Sequence, residues 1–280
     1  MKKIIVTGIT LVSLSLLTIV SARSAKGQSS NRTFNLPSQA KELGQGVFDL
    51  GISIDKGEKV QGLAILHPKP AVGLNHKPNH KPGGGDTIAC YTFIANGARW
   101  RETEGFYIDP VNQDGYPEAS VVSDISAGMS TWESQIAFNI FGTNLGAADV
   151  DGMDTVSTDG KNEIMFGDIS EPGTIGVTVV WYTVGGPPWS RRIVEHDMIF
   201  EDPDYTWGNA GPTTETVLGD PNIMDFLNIA THELGHSAGM GDVYDASCSQ
   251  ETEYGYGQRG ETKKRTLNTE DITGIKLLYK

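Results

Sequence analysis

The chain has 280 residues and carries 35 acidic against 22 basic side chains, a formal net charge of −13. A protein this acidic is excluded as a binder of nucleic acid or of anionic membrane surfaces, and it suits bound Ca²⁺. Thirty-four glycines and 38% hydrophobic residues describe a loop-rich globular domain, and about 190 patterned residues are enough for one well-buried core.

The chain opens with Lys2 and Lys3, an apolar run from Ile4 to Val20, and the small-residue pattern Val20-Ser21-Ala22. This order predicts a secretory signal peptide over residues 1–22, cleaved after Ala22, rather than an uncleaved anchor. The mature protein is then expected outside the cell as a monomer, with no stable membrane insertion. Export favours an oxidised pair between Cys90 and Cys248, the two cysteines of the chain. Residues 23–87 are expected to form a pro-segment and flexible linker. Within it, residues 67–85 repeat NHKP and end in three glycines, so His67, His76 and His80 are expected in a solvated hinge.

Beyond the linker the patterning sharpens. Trp100–Pro110 predicts a first strand. Val122, Ile125, Met129, Trp132, Ile136 and Ile140 recur at steps that predict an amphipathic helix beginning near Pro117. The stretches 162–168, 174–184 and 192–202 are rich in β-branched and aromatic residues and predict three strands. Helices are predicted over 221–239 and 269–279. The order implies an α+β domain over 88–280, with a twisted, mostly parallel sheet, a backing helix, an active-site helix and a C-terminal helix.

The helix at 221–239 carries the chemistry. Asp220 is the expected cap and Pro221 the first helical residue. Ile223, Phe226, Leu227, Ala230, Leu234 and Ala238 fall on one face. His232 and His236, one turn apart, lie on the other, with Cβ atoms about 5–6 Å apart, the spacing for two imidazoles on one ion. Glu233 sits about 100° round the helix, placed to reach a water rather than the ion. Gly239 ends the helix in a left-handed turn that returns Asp242 toward the histidines. Two histidines and a carboxylate leave a fourth tetrahedral position open, the pattern of a catalytic zinc site with Glu233 as general base.

His232, Glu233, His236, Gly239 and Asp242 make the chain resemble the metzincin clan of zinc peptidases, and within it the matrixins. The stretches EHDMIFED and LNTEDITGIKLLY are similar to that family's strand before the zinc helix and to its closing helix. The resemblance implies a substrate cleft above the zinc helix and hydrolysis of peptide bonds in protein or peptide substrates. Asp242 stands where most of the clan has histidine, which leaves the site less positive. Glu253 stands where the clan has a methionine beneath the metal, so either the turn is rebuilt, or the alignment slips, or activity is impaired. Tyr254 and Tyr256 beside it are candidates to stabilise an oxyanion. Cys90 has a second reading here as a removable thiolate on the zinc.

Asp149, Asp151 and Asp154 alternate like the oxygens of a Ca²⁺ loop, without the glutamate of an EF-hand. His196 is expected as a half-exposed strand histidine. Two rival functions remain beside the secreted zinc endopeptidase. One is a binding or structural protein on an impaired peptidase scaffold. The other is a metal-dependent amidase acting on cell-wall peptides.

Overall fold

The computed structural model describes residues 32–68, 89–212 and 218–280. The expected leader over 1–22 and the histidines His76 and His80 lie outside the described residues. Four strands precede residue 69: β1 (Thr33–Phe34), β2 (Lys41–Gly44), β3 (Val47–Asp55) and β4 (Glu58–Pro68). After them come β5 (Thr92–Phe93), β6 (Glu104–Ile108), helix α1 (Glu118–Glu133), β7 (Phe141–Asn144), β8 (Glu163–Ile169), β9 (Thr174–Thr183) and β10 (Ile193–Glu201). The short pairs β11 (Trp207–Gly208) and β12 (Met224–Asp225) lead into α2 (Phe226–Ala238). β13 (Met240–Gly241) and α3 (Thr269–Leu278) complete the chain.

The main sheet runs β2-β3-β4-β9-β10-β8-β6-β7, with β1 continuing along β8. From β10 to β7 the neighbours are parallel. From β10 to β2 they are antiparallel. Residues 99–201 therefore build the mostly parallel sheet with an antiparallel β9, and residues 41–68 extend it by an antiparallel half that the sequence had not signalled.

All ten residues of β9 are buried. A central strand covered on both faces reads as a continuous apolar run rather than an alternation. One face packs on the helices through Ile164, Phe166, Val180, Met198 and Phe200 against Phe226, Ile229 and Leu234. The other is closed by Phe34, Leu50, Leu66, Val150 and Trp181. On α1 the buried row is Val121, Ile125, Met129 and Trp132, each worth about 1.5–3 kcal/mol of burial. The helix ends at Glu133, short of Ile136 and Ile140, and the Glu133 carboxylate accepts from Phe141 N at 2.8 Å.

The start of α2 is corrected from Pro221 to Phe226. Asp220 accepts from Asn222 N (2.9 Å) in a tight turn. Met224 N donates to Thr206 O (2.8 Å) and Ile223 O accepts from Gly260 N (2.8 Å). Those backbone groups are spent on neighbouring segments, so the helix cannot begin until Asp225, whose carboxylate caps Asn228 N at 3.0 Å.

Candidate metal centre

Phe226, Ile229, Ala230 and Leu234 seat α2 in the core, and the same helix carries His232, Glu233 and His236, with Glu233 lying against β9 at Thr178. The Asp225 cap is itself held by Arg265 Nε at 2.8 Å. At the other end Gly239 has φ +106°, a conformation costly for any residue with a side chain. Its N–H returns to His236 O at 2.9 Å. The chain then pairs through β13 with β5 and delivers Asp242. The structure joins Cys90 to Cys248, which ties this loop to the segment before β5. Cys90 therefore has no thiolate to offer.

Three atoms converge. Asp242 Oδ1 lies 3.3 Å from His232 Nε2 and 3.7 Å from His236 Nε2. The two imidazole rings stand 4.7 Å apart and nearly perpendicular. All three atoms are buried and have no hydrogen-bond partner among the described residues. Buried polar atoms without partners are costly, and here one cation would satisfy all of them. The other ring nitrogens fix the tautomer: His232 Nδ1 faces Thr252 O at 2.7 Å and His236 Nδ1 faces Met240 O at 3.2 Å. A carbonyl only accepts, so Nδ1 carries the proton and the Nε2 lone pair is free for a metal. Burial pushes both histidines below their usual pKa, which keeps them neutral.

Glu233 is fully buried and lies beside this triad. Its Oε2 accepts from Thr178 Oγ1 at 2.7 Å. Burial raises its carboxyl to about 8, against the Thr178 hydroxyl and with some help from Asp242.

Glu253 lies behind His236. Its Oε2 is 3.3 Å from His236 Nδ1, and its side chain is fully buried. Burial, then Asp271 and Asp242, push the carboxyl well above its usual range, which favours the neutral acid. The turn carrying it is fixed by Asp271 of α3, which accepts from Thr252 N (2.7 Å) and Glu253 N (3.1 Å). Tyr254 and Tyr256 are half-buried and form a ladder of rings with Tyr244, at 5.6 and 5.2 Å.

Sequence reasoning missed several residues here. Tyr244 holds Asp242, Thr178 holds Glu233, and Lys264 is fully buried with its ammonium 3.4 Å from His232 Nδ1. His67 is a correction: it lies in β4 with no exposed surface, not in a solvated hinge. Its Nδ1 is 3.3 Å from Glu233 Oε1, and its ring is 3.9 Å from that of His232. The apolar run GLAIL just before it was the available signal, but the prolines and repeats that follow drew His67 into the linker.

His196 is also corrected. It is 2% exposed, wedged between Trp100 and Phe141 with Nδ1 3.2 Å from Ser237 Oγ. Burial lowers its pKa to about 3. Of the acidic loop, Asp151 pairs with Lys161 at 2.6 Å, and Asp149 joins no cluster of metal-ligating groups among the described residues. Asp154 instead meets Asp159 and Glu195. Glu195 is 1% exposed, and its Oε1 and Asp154 Oδ2 have no hydrogen-bond partner.

Residues 99–280 match the family model described as Matrixin. Matrilysin of Rattus norvegicus is 25% identical over 199 residues, covering 69% of this chain and 62% of that protein. Matrilysin of Homo sapiens is 43% identical over 56 residues, 20% of each. The chain thus spans less than two thirds of either relative, and strands β1 to β4 lie outside the family match.

Proposed function

The chain belongs to the matrixin family, a family of zinc metalloendopeptidases, and from that premise we propose that it is a secreted zinc-dependent endopeptidase acting on protein or peptide substrates. The observation that carries this is the convergence of three partnerless buried atoms, His232 Nε2, His236 Nε2 and Asp242 Oδ1. Those three residues would hold zinc. When bound, zinc supplies a Lewis acid that polarises the scissile carbonyl and makes water nucleophilic near neutral pH. Glu233 takes the proton of the attacking water and passes it to the leaving amine. A carboxyl raised by burial and lowered by a neighbouring cation has the poise that role needs. Tyr244 holds Asp242 in place, while Thr178 keeps Glu233 aimed. Tyr254 and Tyr256 are the candidate donors to the developing oxyanion.

Residues 1–22 are proposed as the cleaved leader and 23–87 as a pro-segment ahead of the peptidase domain at 88–280. No helix of the described residues is long and apolar enough to cross a membrane. We assign Asp154, Asp159 and Glu195 as a candidate Ca²⁺ site, since three carboxylates meet there and two of them, Asp154 and Glu195, carry a buried oxygen without a hydrogen-bond partner. Glu253 beneath His236 motivates a second reading, a zinc-holding binding protein without turnover. Casein cleavage with and without chelator, set beside Glu233→Ala, separates the two. Chelator-sensitive cleavage lost in Glu233→Ala supports the peptidase, and zinc content without cleavage supports the binder.

A further inference from the structure

One turn touches all three residues of the triad. Thr252 O faces His232 Nδ1 at 2.7 Å. Glu253 O accepts from Val243 N, the residue after Asp242, at 2.8 Å. Glu253 N donates to Asp271 at 3.1 Å, so both backbone polar groups of Glu253 are tied. Its side chain points at α2 and is fully buried, with Oε2 against His236.

The carboxyl meets the helix between its two histidines. Gly235 leaves room for it there, since a Cβ at that position would collide with Glu253 Oε1. Oε2 stands 3.3 Å from His236 Nδ1, about as near as Met240 O at 3.2 Å. His236 turns its other nitrogen, Nε2, toward Asp242 Oδ1, so Glu253 stands behind a ligand rather than in the ion's place. Neither carboxyl oxygen completes a hydrogen bond among the described residues, and a buried carboxyl without one is costly. A methionine would fill the same space without that cost. Packing alone therefore does not account for a carboxyl here, and the Nδ1–H of His236 is the donor within reach.

Resting on the zinc assignment above, we propose that Glu253 is a positioning residue for the metal centre, its Oε2 serving as a second acceptor for the Nδ1 proton of His236 beside Met240 O. Three-centre bonds of this kind are common at helix ends, and His236 lies in the last turn of α2. An acceptor behind a metal-binding imidazole fixes its tautomer and ring orientation and makes Nε2 a stronger donor. The role asks only for an oxygen, which the acid and the carboxylate both offer. Glu253 thus strengthens the site, where an apolar residue would only fill the space beneath it.

The test uses the full chain with ¹⁵N-labelled histidine, as wild type, Glu253→Gln and Glu253→Met. Glutamine keeps an oxygen in place, and methionine keeps the bulk and removes it. In the metal-free protein the Nδ1–H resonance of His236 should move upfield in Glu253→Met, move less in Glu253→Gln, and leave that of His232 in place. Zinc affinity, read by competition with a chromogenic chelator, should fall about 10–100-fold in Glu253→Met and stay within about threefold of wild type in Glu253→Gln. An unmoved His236 resonance or wild-type zinc affinity in Glu253→Met would overturn the proposal. So would a Glu253→Gln protein that binds zinc as weakly as Glu253→Met. Should Glu253→Met fail to fold, Glu253→Gln decides alone: a His236 resonance identical to the wild type's overturns the proposal, and a shifted one with His232 unmoved supports it. If these changes appear but no chain cleaves peptides, Glu253 keeps its role and the peptidase reading fails. A wild type that takes up no zinc fails the zinc assignment, while the metal-free resonance still decides whether Glu253 holds His236.

Discussion

The Tyr244 hydroxyl donates to Asp242 Oδ2 at 3.1 Å, which leaves Oδ1 of the same carboxylate to face His232 and His236. The aspartate carboxylate can turn about its Cβ–Cγ bond and present either oxygen, so such a partner keeps it aimed. Tyr244→Phe is expected to weaken zinc about 10–100-fold, the usual cost of losing a group that orients a metal ligand. Competition with a chromogenic chelator measures this, and an unchanged affinity would deny Tyr244 that role.

The pairing of Cys90 with Cys248 closes a loop across 158 residues and pins the segment that delivers Asp242. Cys90→Ser should cost about 3–5 kcal/mol of stability by the chain-entropy argument. It should also free a thiol at Cys248. Thermal melts and a thiol titration together check it. Unchanged stability with activity released by the substitution would point to the other role of Cys90, as a thiolate on the metal.

Burial, then Asp197, raise the Glu195 carboxyl to about 10, so without a cation it holds a proton at neutral pH. Its folded pKa lies above the ordinary value of 4.5, so the stabilisation it gives is complete below about pH 4.5 and fades as pH rises toward 10. Ca²⁺ competes with that proton. Added Ca²⁺ should therefore raise the melting temperature more at pH 8.5 than at pH 6, and Glu195→Gln should abolish the difference. A calcium effect independent of both pH and Glu195 would place the ion elsewhere.

Trp132 is fully buried between α1 and α2, and its Nε1 donates to Thr231 O at 2.7 Å, one residue before His232. Trp132→Ala should cost about 3–5 kcal/mol and weaken zinc along with the fold. Chemical denaturation of the variant checks the first figure. A variant of wild-type stability would show that α2 is positioned by the sheet alone.

The helix carrying His232, Glu233 and His236 was legible because its information is local. The two histidines, the glutamate, the glycine bend and Asp242 lie within eleven residues, and helical geometry alone brings the first three together. The beginning of that helix was not legible. Asp220-Pro221 has the right chemistry for a start, but Thr206 and Gly260 compete for the same backbone from distant points in the chain. The strands β8, β9 and β10 showed themselves through apolar runs. Their neighbour β4 did not, although GLAILH has the same character, because a proline-rich repeat follows it directly. Tyr244 and Lys264 carry no local pattern, and Asp271 reads as the capping acid of α3 while it also holds the turn bearing Glu253. Such contacts between distant segments have no spacing to read.

The central claim, that His232, His236 and Asp242 grip one zinc while Glu233 works beside it, is tested most directly by zinc content after exhaustive dialysis. One zinc per chain is predicted in the wild type and in Glu233→Ala, and none in His236→Ala. Zinc retained at full stoichiometry in His236→Ala, or absent from the wild type after zinc has been supplied, would contradict it.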